Sequence, residues 1–154
     1  MTLSASDKKI LRILQADGRL SNVALAEKIG MSPSPCLRRL KQLEETGIIS
    51  RYTAILNREK VGLGIMAFVE VKVPQIADTS VVALFKEAVR NEPSITECYI
   101  TAGQFDFILT VVAQDMTSYA VLAQTVLLKL PGVQDMRSSF VLEAIKDKAD
   151  LPLA

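Results

Sequence analysis

Few of the 154 residues carry side chains suited to covalent chemistry. Histidine is absent, which removes the commonest general base and metal ligand. Cys36 and Cys98 lie far apart and form no CxxC pair, so thiols that pack are expected, in a reducing compartment. Glu70, Glu97 and Asp106 are scattered acids, read as solvated or turn-forming rather than catalytic. No metal and no cofactor are expected, and an enzyme is disfavoured. One stretch does concentrate polar chemistry. Ser32-Pro33-Ser34-Pro35-Cys36-Leu37-Arg38-Arg39-Leu40-Lys41-Gln42 combines short hydroxyls with long cations. Such groups bond phosphate oxygens and base edges, so nucleic acid is the matching partner.

The elements that must position this stretch are helices. Ile10, Leu11, Ile13 and Leu14 form an amphipathic stripe, capped by Ser6 or by Ser4 with Asp7, and Gly18 ends it. Ser21 can cap a second helix, Asn22–Ile29, which Gly30 breaks. A third helix runs from the Ser-Pro-Ser-Pro segment to about Thr46, with Gly47 as its C-cap. Its cap is Ser32 or Ser34. The helix, Gly turn and helix have helix-turn-helix spacing. With Leu40 at the centre of the buried face, Cys36, Leu37, Leu43 and Gly47 fall within roughly 60° of it. Ser34, Pro35, Arg38 and Gln42 lie opposite, with Arg39 and Lys41 on the flanks. Ser32, Ser34, Pro35, Arg38, Arg39, Lys41 and Gln42 are thus the candidate DNA contacts. Alternation over Ile49–Ile55 reads as short strands or a β-wing, from which Arg51 can reach the adjacent backbone. The competing reading is a plain three-helix bundle whose cations are only solvated.

Charge favours the DNA reading. The whole chain has a net charge of +1. Residues 1–60 hold 11 Lys and Arg against 6 Asp and Glu, a net +5, and residues 61–154 hold 7 against 11, a net −4. A basic module and an acidic module have different partners. Hydrophobic residues make up 49% and aromatics 5%, so a folded chain with an aliphatic core is expected. The N-terminus lacks the apolar run of a signal peptide, and no apolar stretch approaches the ~18 residues of a membrane helix. A cytoplasmic, nucleoid-associated protein with no membrane partner is expected.

The acidic half changes period. Gly64–Val73 reads as a strand and Thr79–Asn91 as a helix with Val82, Phe85 and Val89 on one face. Ile95–Thr101 and Phe105–Val112 read as a hairpin around a short Gly103 turn. Met116–Leu130 reads as a helix and Val133–Ile145 as a last strand. The order β-α-β-β-α-β is ferredoxin-like, so the class is α+β. The expected domains are 1–56, a winged helix-turn-helix; 57–63, a polar hinge; and 64–154, the βαββαβ domain. Ile108 and Val112, like Met66 and Phe68, lie opposite the main apolar face of their strands. Two helices can cover one face of a sheet, so a second subunit is expected on the other.

The chain resembles the Lrp/AsnC (leucine-responsive, feast/famine) family of transcription regulators. The resemblance is carried by Leu25-Ala26-Glu27-Lys28-Ile29-Gly30, the SPSPCLRRL segment at 32–40, Leu43-Glu44-Glu45-Thr46-Gly47-Ile48-Ile49, Gly103-Gln104-Phe105-Asp106 and Ser138-Ser139-Phe140. It covers almost the whole chain, although Phe105 stands where Tyr is as common. The resemblance implies double-stranded DNA as partner and homodimers through the sheet. It also implies octamers as tetramers of dimers, and a small amino-acid effector bound near the middle hairpin. It places the effector at Thr101, Ala102, Gly103 and Asp106, with Ser138 and Ser139 from another strand or subunit. Gly103 would let a ligand approach the backbone, and Asp106 would accept from an ammonium group. Alternatively, Gly103 is a tight turn and Asp106 caps or pairs within it. Met116 and Tyr119 are further candidates to shape the pocket. An architectural DNA-wrapping protein without effector is the alternative function.

Overall fold

A computed structural model describes residues 3–74, 79–147 and 150–153. The chain divides into two compact units, residues 1–55 with 146–154, and residues 56–145. The segment 146–154 groups with the helical unit, and Leu151 within it bonds to the first helix at Gln15.

The first unit holds α1 (Ala5–Ala16), α2 (Asn22–Ile29) and α3 (Pro33–Glu45). Ser4 caps α1 in a reciprocal box. Its hydroxyl accepts from Asp7 N at 3.1 Å, and the Asp7 carboxylate accepts from Ser4 N at 2.9 Å. Ser21 caps α2 by accepting from Ala24 N at 3.2 Å. Gly30 closes α2 with a φ of 71°, a left-handed conformation that turns the chain toward α3 without steric cost. Ile10, Leu11, Leu25, Ala26, Cys36 and Leu43 form the core of this unit.

The alternation after Gly47 does not become a wing of strands. Residues 50–57 belong to no strand. A ladder needs a partner, and among the described residues this segment has none. Tyr52 holds it instead, its hydroxyl donating to Glu44 Oε1 at 2.9 Å. Burial first, and then the Glu44 carboxylate, push the Tyr52 phenol up to about 12.

The second unit opens with a hydrogen-bonded turn over residues 57–63. Asn57 Oδ1 accepts from Lys60 N at 2.9 Å, and Leu63 N donates to Arg58 O at 3.0 Å. Four strands follow: β1 (Ile65–Lys72), β2 (Ile95–Ile100), β3 (Phe107–Ala113) and β4 (Asp135–Phe140). They form one antiparallel sheet in the order β2-β3-β1-β4. The connecting helices are α4 (Thr79–Asn91) and α5 (Met116–Thr125). α5 stops earlier than its apolar pattern implied and continues as a 3-10 turn, Leu127–Lys129. β4 is also shorter than expected. Its partner β1 begins at Ile65, so beyond Val141 N, which donates to Met66 O, no strand remains to pair.

One face of the sheet packs under the helices. Val69, Val71, Phe107, Leu109 and Val111 meet Phe85 and Val89 of α4, Tyr119 of α5 and Leu127. Phe85 and Phe107 lie with ring centroids 4.6 Å apart. The opposite face carries apolar side chains interrupted by polar pairs. Phe68 is 41% and Tyr99 57% exposed there, beside half-buried Met66, Ile108 and Val112. Arg137 Nε donates to Glu70 Oε2 at 2.7 Å, and Thr110 donates to Glu97 at 2.9 Å.

Candidate functional site

The start of α3 is built by its prolines. Pro33 occupies the first helical position, where a missing N–H breaks no helical bond, and Ser32 is the N-cap. This decides between the two candidate caps. The Ser32 hydroxyl makes no capping bond, so it is available to a ligand. Asn22 at the head of α2 donates from Nδ2 to Pro33 O at 2.9 Å, setting the two helix starts against each other. No spacing rule pointed to Asn22; the contact exists only because the Gly30 turn folds α3 back onto α2.

Cys36 and Leu43 are buried, and Leu40 is half-buried beside them. Burial pushes the Cys36 thiol up, away from reactivity. Ser32, Ser34, Pro35, Arg38, Lys41 and Gln42 are all exposed, as is Arg51 in the following segment. The structure brings the first six of these together on α3.

Two residues of α3 depart from the helical wheel. Arg39 is drawn inward. Its NH1 donates to Asp7 Oδ1 at 2.7 Å and to Ser4 Oγ at 3.1 Å, joining α3 to the cap of α1. Burial alone would raise the Asp7 pKa. The Ser4 hydroxyl and N–H, with Arg39, more than offset that and hold it below the ordinary carboxylate range. Leu37, placed on the core side by the wheel, is 41% exposed. It stands one turn from both Ser34 and Lys41, so an apolar contact lies among the polar ones. The i, i+3 and i+4 spacing of 34, 37, 38 and 41 puts these four side chains on one stripe of the helix.

The hairpin between β2 and β3 is a loop over residues 101–106, longer than the short Gly103 turn expected. Thr101 N donates to Asp106 O at 2.9 Å, and Thr101 Oγ1 to Phe105 O at 3.0 Å. Asp106 is partly used by the fold, because its Oδ2 accepts from Val73 N at 3.0 Å. Its Oδ1 has no partner among the described residues. Phe105 is buried beneath the Arg137 guanidinium, 5.3 Å from the ring centroid. Ala102, Gly103 and Gln104 are exposed, and their N–H groups meet no acceptor among the described residues. A Cβ added at Gly103 would meet nothing within 4 Å, and Gly103 lacks the positive φ of Gly30, Gly47, Gly62 and Gly132. This protomer's own packing therefore does not require glycine at 103.

Ser138 and Ser139 separate. Ser138 pairs with Val69 on the helix-covered face and accepts from the Tyr119 hydroxyl at 2.6 Å. Ser139 pairs with Phe68 on the open face. Within one protomer they cannot line one pocket with a shared face. Met116 is exposed and Tyr119 buried, three residues apart on α5.

A helical unit that exposes hydroxyls and cations on its third helix, joined to a βαββαβ unit, has the parts of a DNA-binding regulator with a sensor domain. The chain belongs to the Lrp/AsnC family of transcription regulators. Residues 3–50 match a winged helix-turn-helix DNA-binding model, and residues 66–151 match the Lrp/AsnC ligand binding domain. The leucine-responsive regulatory protein of Escherichia coli K12 is 41% identical over 144 residues, 94% of this chain and 87% of that protein. A transcriptional regulator of Neisseria meningitidis, solved in complex with L-Met, superposes with a TM-score of 0.93 at 43% identity, covering 98% of this chain and 97% of that one. An AsnC family regulator from Agrobacterium tumefaciens gives 0.90 at 35% identity, covering 97% of each chain. No helix among the described residues is long and apolar enough to cross a membrane.

Proposed function

We propose that this chain regulates transcription from the cytoplasm by inserting the start of α3 into the major groove of double-stranded DNA, under control of a small amino acid. The observation that carries the DNA half is the exposed set Ser32, Ser34, Arg38, Lys41 and Gln42 opposite buried Cys36 and Leu43. Small residues at the helix start permit close approach, and Arg38 and Gln42 have the donors that read base edges. Ser32 and Lys41 contact phosphates, and Arg51 reaches the neighbouring backbone. Arg39 is left out of the contact set, because Asp7 and Ser4 occupy the same guanidinium nitrogen.

The effector half rests on the 101–106 loop. Free N–H groups at Ala102, Gly103 and Gln104 suit a carboxylate, and Asp106 Oδ1 suits an ammonium. The Neisseria relative in complex with L-Met supports an amino acid as the ligand class. The open sheet face supports a homodimer, with higher assemblies built from such dimers. Effector binding then favours whichever assembly state it fits better.

The test is affinity for the chain's own promoter region against random DNA at one salt concentration, with and without each common amino acid. Preference for the promoter, changed by at least one amino acid, is expected. Equal affinity for both DNAs, with no response to any amino acid, would replace this reading with an architectural DNA-wrapping protein.

A further inference from the structure

The exposed side of α1 carries two polar side chains one turn apart, Arg12 and Gln15. Both face the end of this chain. Gln15 Nε2 donates to Leu151 O at 3.2 Å, and Gln15 Oε1 accepts from Leu151 N at 2.7 Å. One amide thus pairs with both backbone groups of a single residue, as a neighbouring strand would. Arg12 NH2 donates to Leu153 O at 2.7 Å. Residues i and i+2 of an extended chain present backbone groups to the same side, which is the spacing of Leu151 and Leu153. Pro152 between them fixes its own φ and has no N–H to leave unpaired on the far side. Leu153 packs against the α-helical core, whereas Leu151 is 72% exposed. The recognition is therefore of backbone, anchored by one leucine.

The chain passes between its two units twice, at 55–56 and again at 145–146. We propose that Arg12 and Gln15 form a docking surface for an extended segment, that its occupant is residues 150–153 of this chain, and that the docked segment is a strap. It gives the DNA-binding unit a second anchor to the chain that leaves β4. Two anchors restrict the unit more than one, which lowers the ordering cost of seating α3 on DNA.

Gln15→Ala in the full chain is the direct test. The position is exposed and alanine is the better helix former, so folding is retained. Leu153→Ser is the second variant, removing the anchor without touching α1. In both, hydrogen–deuterium exchange of the peptide containing Leu151 and Leu153 should rise to the rate of an unprotected chain. Affinity for promoter DNA should weaken about three- to tenfold, with assembly size unchanged in ultracentrifugation. A tail peptide that exchanges freely in the unmodified chain, or keeps its protection in both variants, overturns the docking. Protection lost with DNA affinity unchanged overturns the strap. The exchange measurement uses no DNA, so it stands or falls apart from the regulatory reading.

Discussion

Arg39 on α3 and Asp7 on α1 form an ion pair at 2.7 Å, with Asp7 buried and the Arg39 side chain 36% exposed. The pair joins the candidate recognition helix to the cap of the first helix. Its cost and its benefit both follow from that placement, because removing either partner leaves a desolvated group behind.

Asp7→Asn should lower the stability of the helical unit by about 1–2 kcal/mol at pH 7, through loss of the pair and of the capping box. The folded-state pKa lies below the ordinary value of 3.8. The stabilisation is therefore fully present above that value and lost as pH falls through the folded pKa. Denaturant melts of both chains should keep their gap from pH 7 down to the ordinary value of 3.8 and converge only as pH falls through the folded pKa beneath it. A constant gap at all pH values would mean that the carboxylate charge is not the cause. Arg39→Ala should lower stability too, yet change affinity for specific and random DNA by less than about twofold, since the guanidinium is engaged within the fold.

On the outer side of α3, Arg38→Ala should weaken promoter binding by about 1–3 kcal/mol and leave random DNA less affected. Leu37→Ser is expected to leave the melting temperature nearly unchanged, because the side chain is 41% exposed. It should nevertheless relax preference at a single thymine, whose methyl group is the natural apolar partner in the major groove. Selection of binding sites by each variant would report both. Unchanged preference in Leu37→Ser would remove Leu37 from the interface.

Gly103→Ala is a sharper probe of the effector loop than its size implies. The added methyl meets open space and no unusual backbone angle, so stability should stay within about 0.5 kcal/mol of the unmodified chain. If a ligand approaches the backbone there, calorimetry with the responding amino acid should show at least tenfold weaker binding. Equal affinity in the variant would move the ligand elsewhere.

Phe68→Asp places a charge among the apolar side chains on the open sheet face. Sedimentation should shift toward the monomer, with the helical unit still folded by far-ultraviolet dichroism. Retention of the original assembly would exclude this face as the subunit contact.

Much of this could be read along the chain, where the deciding interactions are local. Asn22–Ile29 and Thr79–Asn91 have the predicted bounds because caps and a 3.6-residue period act within a turn or two. The two apolar faces of the sheet follow from strict alternation in Phe107–Ala113. Even the separation of Ser138 from Ser139 is alternation, obscured when both are grouped as one ligand set. Elements that depend on a distant partner were misjudged. β4 ends where its partner β1 begins, and residues 50–57 pair in no ladder among the described residues, Tyr52 bonding Glu44 instead.

By itself, then, the sequence determined the Ser21 cap of α2, the element order of the sheet unit, the charge split between halves and the polar face at the start of α3. These depend on neighbours a few positions away. Only the tertiary structure decided that Arg39 turns inward to Asp7, 32 residues earlier, and that Gln15 holds Leu151, 136 residues later. Partner choice over such separations depends on which surfaces packing brings together. Hydrogen bonds and charges act over a few ångströms in space, whatever their distance along the chain.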